Sequence, residues 1–385
     1  MKARSRSDAE LAEAVTRETG LPTTPWQIES WRQGGLLQPG QQSFPGRGSN
    51  VEYSPEARSQ AMELAKLSRK YHRHHELACA LFGRGLYVEE SVLKAALVGF
   101  IERAEKWIGP AKSDDDLDQV DKRAQQIAEW ARRTKQGRKL QRRVRGRAAH
   151  PEEIAAGVYY TLLHLLKTGI TTSDEGFEEL LDATGLRGLF TETVHGVGPF
   201  APGGTDTMAS FLQNATLDDM RDRIRGSSIE ELREARDVMA TMLPFLKHFA
   251  ILATRWLESP TALGLAMLED LEVDDLSVGT WTAMGLLLLP YMRTPGARTL
   301  LEGIRRFSTY YEGLADLALR VPKEVVPAMR QGNPEALAGL PEAQRLEIEA
   351  AARAVSALGS GLTWPDVASS DTAEARPQSE VRAVS

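Results

Sequence analysis

Residues 20–39 read GLPTTPWQIESWRQGGLLQP. A turn at Gly20-Leu21-Pro22 leads into a short run over Thr24–Gln33. Gly34-Gly35 stops that run, and Leu36-Leu37 restore apolar bulk before Pro39. Upstream, Leu11 and Val15 share one face of a run over Asp8–Thr19. Within the second run Ile28 and Trp31 share a face, so two short helices can close on one small core. Gly20 falls at their junction, where a left-handed residue is cheapest as glycine. The pattern is a helix-turn-helix.

With Ile28 and Trp31 turned inward, the second helix keeps a polar face carrying Thr24, Gln27, Ser30 and Arg32. These are short or planar groups suited to base edges and phosphates. The stretch Gln38–Tyr53 holds too much glycine and proline for helix and predicts a small two-stranded hairpin. Gly46-Arg47-Gly48 puts Arg47 at its tip, within reach of a phosphate backbone or a minor groove. Tyr53-Ser54 follow, and Ser54 with Pro55 opens the next helix. Thr24, Gln27, Ser30, Arg32, Arg47 and Tyr53 are the candidate DNA-contacting residues.

The order of these features resembles the winged helix-turn-helix of the MerR family of bacterial regulators. The matching residues are Leu11–Ala14, Gly20, Trp31, Gly35-Leu36-Leu37-Gln38-Pro39, Gly46–Gly48 and Tyr53-Ser54, followed by the helices Ser54–His72, His75–Arg84 and Glu89–Ile108. The likeness covers about residues 8–108. It departs from the family at Glu29, where an arginine is common, and in a slightly longer interval between Gly20 and Leu36. The resemblance implies a dimer that binds double-stranded promoter DNA. It says little about the 235 residues after His150, which exceed the usual effector part of that family.

Further along, periodic runs predict helices over Pro151–Thr168, Ser173–Ala183, Thr216–Arg225, Ser228–Glu258, Thr261–Leu271, Ser277–Met292, Pro295–Leu319 and Asn333–Leu358. The fold expected is all-α with a small β-hairpin wing. The expected divisions are a winged unit at 1–108, an acidic then Arg/Lys-rich connector at 109–149, a helical bundle at 150–358 and a disordered tail at 359–385. Ser228–Glu258 carries Leu232, Ala235, Met239, Met242, Leu246, Phe249, Ala253 and Trp256 at heptad spacing. Ile229, Val238, Leu243, Ala250 and Leu257 widen that arc, which favours a bundle core over a dimer seam. The stretch Leu276–Met292 has no charge but contains Ser277, Thr280, Thr282 and Pro290, and reads as a buried helix rather than a membrane span.

Composition sets the outer limits. The chain has 385 residues and a formal charge of −6. Residues 1–150 carry 27 basic and 19 acidic side chains, and residues 151–385 carry 20 and 34, so a front of +8 precedes a back of −14. The basic excess peaks in Lys122–Arg147, with eleven Lys and Arg against Glu129 alone. Such a run binds nucleic acid with steep salt dependence, or else is a solvated linker or pairs with the acidic back half. A single cysteine, Cys79, excludes an internal disulfide and a cysteine-based zinc cluster. His72, His74, His75, Glu76 and Cys79 crowd together too closely for tetrahedral geometry, so no metal and no cofactor are expected. The N-terminus lacks an apolar signal core, and the cytoplasm is the expected compartment, with no membrane association.

Tyr159, Tyr160, His164, His195, Phe200, Phe245, His248, Trp256, Trp281, Tyr291, Tyr310 and Tyr311 are core aromatics or the lining of a small-molecule effector cavity. No phosphate loop, nucleophile elbow or HExxH motif is present, and the His195–Thr205 glycines lack a following Lys-Ser/Thr, so an enzyme is not expected. The expected function is a DNA-binding transcriptional regulator whose helical back half dimerises or senses a ligand. The competing expectation is a non-enzymatic DNA- or protein-binding accessory or scaffold factor built on the same winged helix.

Overall fold

The computed structural model describes residues 6–42, 51–108, 216–256, 269, 271–293, 295–330 and 335–359. Those residues are almost entirely helical. The expected helices over Pro151–Thr168 and Ser173–Ala183, the connector 109–149, the His195–Thr205 loop and the tail beyond Gly359 lie outside them.

Helix α1 spans Arg6–Thr19 and α2 spans Pro25–Gln33. The turn between them is stapled by threonines. Thr16 Oγ1 accepts from the Thr23 amide at 3.0 Å, and Thr19 Oγ1 donates to the Val15 carbonyl at 2.7 Å. Gly20, at φ +69°, makes the reversal an L side chain would resist. After α2, Gln41–Gln42 (β1) pairs antiparallel with Val51–Glu52 (β2), Gln41 opposite Glu52. A ladder this short does not by itself make a wing, and the residues between the strands, Arg47 included, are outside the described residues.

Three helices back the first two: α3 at Pro55–Lys70, capped by the Ser54 hydroxyl on the Ala57 amide, α4 at His74–Gly83, and α5 at Glu90–Ile108. The back half contributes α6 at Leu217–Gly226, α7 at Ile229–Trp256, α8 at Asp275–Met292, α9 at Pro295–Arg320, the short α10 at Val326–Arg330 and α11 at Glu342–Gly359. The heptad-spaced α7 packs along α8 and α9 of its own chain. It buries Leu232, Ala235, Met239 and Leu243, with Phe245 against Ile304 of α9. It runs on through Pro244 as one helix.

Helix α8 is the pillar. It lies against α4 on one side and α7 on the other. Glycines set both approaches. A Cβ at Gly279 would fall 2.0 Å from the Cys79 carbonyl oxygen of α4, one at Gly83 would fall 1.9 Å from the Asp275 carbonyl, and one at Gly285 would fall 2.6 Å from the Ala235 carbonyl of α7. The hydroxyls of Thr280 and Thr282 donate to the carbonyls of Leu276 and Val278, so α8 meets its neighbours with no unsatisfied hydroxyl at those positions. Among the described residues no helix is long and apolar enough to cross a membrane.

One core therefore joins front and back. Leu11, Val15, Ile28, Trp31, Leu36, Leu64, Leu81 and Leu97 belong to the same buried cluster as Ile224, Leu232, Leu286 and Leu289. A separate cluster of Leu317, Val321, Val326, Ile348 and Val355 holds α10 and α11 to the end of α9.

Candidate nucleic-acid interface

Helix α2 is held at both ends and along one side. At its start Thr24 is the N-cap. Its hydroxyl accepts from the Gln27 amide at 3.3 Å while Gln27 Oε1 accepts from the Thr24 amide at 2.8 Å, a reciprocal capping box with Pro25 in the first turn. Along its side Ile28 and Trp31 are buried in the core. At its end Gly35, at φ +68°, sits so close to α5 that a Cβ would fall 2.7 Å from Val92 and 2.8 Å from Glu89. The Glu89 amide donates to the Gly35 carbonyl at 2.9 Å, and the His74 ring Nε2 lies 2.9 Å from the Gly34 carbonyl.

The segment that follows is tied by a buried amide. Gln60 of α3 is 2% exposed, and its amide nitrogen donates to the carbonyls of Leu36 and Tyr87, both at 2.6 Å. Behind α2 lies a buried acid, Asp8 of α1, at 3% exposure. The Tyr53 hydroxyl donates to one Asp8 oxygen, and Arg32 Nη2 lies 3.5 Å from the other. Burial and that hydrogen bond push the Tyr53 phenol far above its ordinary range. The acid thus links α1, α2 and the chain leaving β2.

The candidate residues divide accordingly. Ser30 faces solvent and its hydroxyl has no partner among the described residues. Thr24 is exposed and spends its hydroxyl on the cap. Gln27 gives its carbonyl to the cap, and its amide nitrogen has no partner among the described residues. Arg32 is one-third exposed and leans on Asp8. Tyr53 is buried at 6% exposure, with its hydroxyl turned inward. Arg47 is outside the described residues.

The open face of α2 also carries Trp26, at 67% exposure, one turn before Ser30. Sequence reasoning placed Trp26 in the motif without assigning it to the face. The signal was present, because at 100° per residue Trp26 stands about 200° round from Ile28. Asp8 left no such signal: an acid near a helix start reads as exposed.

Elsewhere in the histidine cluster, His72 and His74 are exposed and His75 is half-buried. Cys79 is buried, and its thiol is pushed up to about 12 by loss of water. Burial also lowers His75. Among the described residues no group of three or more His, Cys, Asp or Glu could hold a metal ion. No family model, no curated protein and no solved structure matches the chain.

Proposed function

We propose that this chain is a DNA-binding transcriptional regulator of MerR-like type. Its α1–α2 pair and the β1–β2 segment act as a winged helix-turn-helix on double-stranded promoter DNA. The observation that carries the reading is the division of α2: Ile28 and Trp31 are buried, while Trp26 and Ser30 stand open. A second helix anchored at both ends with one free face is what a major groove accepts. In this reading Ser30 and the Gln27 amide reach base edges. Trp26 covers a thymine methyl or a sugar, and Arg47 at the wing tip takes a phosphate. Arg32 and Tyr53 act through Asp8 to hold the wing against α2. The helical back half dimerises the protein or senses a ligand, and the chain performs no catalysis in the cytoplasm.

Selection of the full-length protein on a random duplex pool, followed by gel shifts at graded salt, tests the reading. The expected result is a recovered sequence motif whose affinity falls steeply with salt. Trp26→Ala and Ser30→Ala should relax sequence preference, whereas Arg47→Ala should weaken binding to all sequences about equally. Failure to enrich any motif at low salt, from protein with native helicity, would overturn it.

A further inference from the structure

A cleft of about 320 Å³ lies between α7 and α9, within the volume range of small-ligand sites. The two helices run alongside in matching order. Thr241 meets Arg305, Phe245 meets Tyr311, and His248 and Glu312 lie further along. The floor is apolar and aromatic. Phe245 is 4% exposed, with the Tyr311 ring edge-on at 5.2 Å and Ile304 beside it. Pro244 lines the same wall and removes one N–H rung of α7 there.

The two ends differ in charge. At one end Arg305 is steadied by its Nε, which donates to Thr241 Oγ1 at 3.1 Å. The Thr241 hydroxyl in turn donates to the Asp237 carbonyl at 3.1 Å. Among the described residues no carboxylate pairs with Arg305, so its terminal nitrogens remain a fork for a planar anion. At the other end stands Glu312, seven residues on, about 10 Å along the helix. Beside it burial holds the His248 imidazole below its usual range, against the opposing pull of the Glu312 carboxylate.

We propose that this cleft binds a small aromatic monocarboxylate, its ring against Phe245 and Tyr311 and its carboxylate on Arg305. Glu312 rejects a second acid at the far end of the ligand. The inference goes beyond the DNA-binding reading and does not depend on it, because the binding is measured on the protein alone.

Calorimetric titration of the full-length protein with cinnamate tests it. The controls are cinnamyl alcohol, which lacks the charge, butyrate, which lacks the ring, and 4-carboxycinnamate, which adds a second acid. Cinnamate should bind saturably, and each control should bind at least about tenfold more weakly. Arg305→Gln and Ser308→Trp, both at exposed helix positions, should cost about tenfold or more with the helical spectrum unchanged. Glu312→Gln should restore binding of 4-carboxycinnamate. Absence of saturation up to about 10 mM cinnamate would overturn the proposal. So would equal affinity for cinnamyl alcohol, or affinity unmoved by Arg305→Gln or Ser308→Trp.

Discussion

At the scale of single residues, two polar side chains hold the front unit in place. Gln60 is buried and gives both protons of its amide nitrogen to carbonyls on separate segments, Leu36 after α2 and Tyr87 before α5. Gln60→Ala leaves both oxygens without a donor. It should lower stability by about 2–4 kcal/mol, read from the midpoint of urea unfolding at constant slope. A loss under about 0.5 kcal/mol would mean that water replaces the amide. Asp274 is the second. It caps α8 through the Ser277 amide at 2.9 Å and also accepts from Lys70 Nζ and the Tyr71 hydroxyl, each at 2.6 Å. Burial works to raise this carboxyl, but the hydrogen bonds outweigh it and hold the group at about 2, against an ordinary 3.8. A carboxylate depressed by folding stabilises above its unfolded value and loses that contribution as pH falls towards its folded value. Stability should therefore drop between about pH 4 and pH 2. Asp274→Asn, which keeps a capping oxygen, should flatten the drop in that window. An unchanged acid limb in thermal melts across this range would show that the charge contributes nothing.

At the scale of elements, the contact between α4 and α8 rests on absent side chains. The backbones meet at Gly83 and Gly279, where a methyl group would lie about 2 Å from a carbonyl oxygen of the other helix. Backbone cannot yield as a side chain tip can. Gly279→Ala should therefore destabilise by about 2 kcal/mol or more, although alanine is the better helix former. A Gly226→Ala control, with nothing within 4 Å, should cost far less; equal costs would remove the packing argument. The same contact shows why much of this fold was legible and part was not. The start of α3 was readable from Ser54-Pro55, because a cap is a local device. The apolar arc of α7 was readable as a bundle helix because Val238, Leu243 and Ala250 widened the stripe. Gly279 and Gly285 carried no periodic signal, since a missing side chain has no hydropathy. The partner of α8 depends on which surface offers a matching gap, and no local window of sequence holds that information. The candidate face of α2 was legible at Ser30, while Tyr53 was misleading: its ring closes the core and its hydroxyl answers an acid on a distant helix.

At the scale of the whole molecule, the charge split of +8 and −14 on either side of residue 150 points to two separable halves, but the described core does not divide there. Helix α8 buries Leu286 and Leu289 in the same cluster as Val15 and Ile28, while Lys70 and Arg84 of the front reach Asp274 and Asp275 at its start. The surface ion pairs add little by themselves. The shared apolar surface does most of the coupling, because opening the α4–α8 contact exposes core from both sides at once. The front stretch that ends at Ile108 spans about a hundred residues, yet part of its core is completed by α6, α7 and α8. Helices α4 and α8 should therefore open together. In native-state hydrogen exchange the slowest amides of Leu81 and Leu286 should share one opening free energy and one denaturant slope. Gly279→Ala should lower both by the same amount. If Leu286 exchanged through a separate opening while Leu81 kept its protection, the front helices would be a unit in their own right. The candidate DNA face would then be supported by α1–α5 without the pillar behind them.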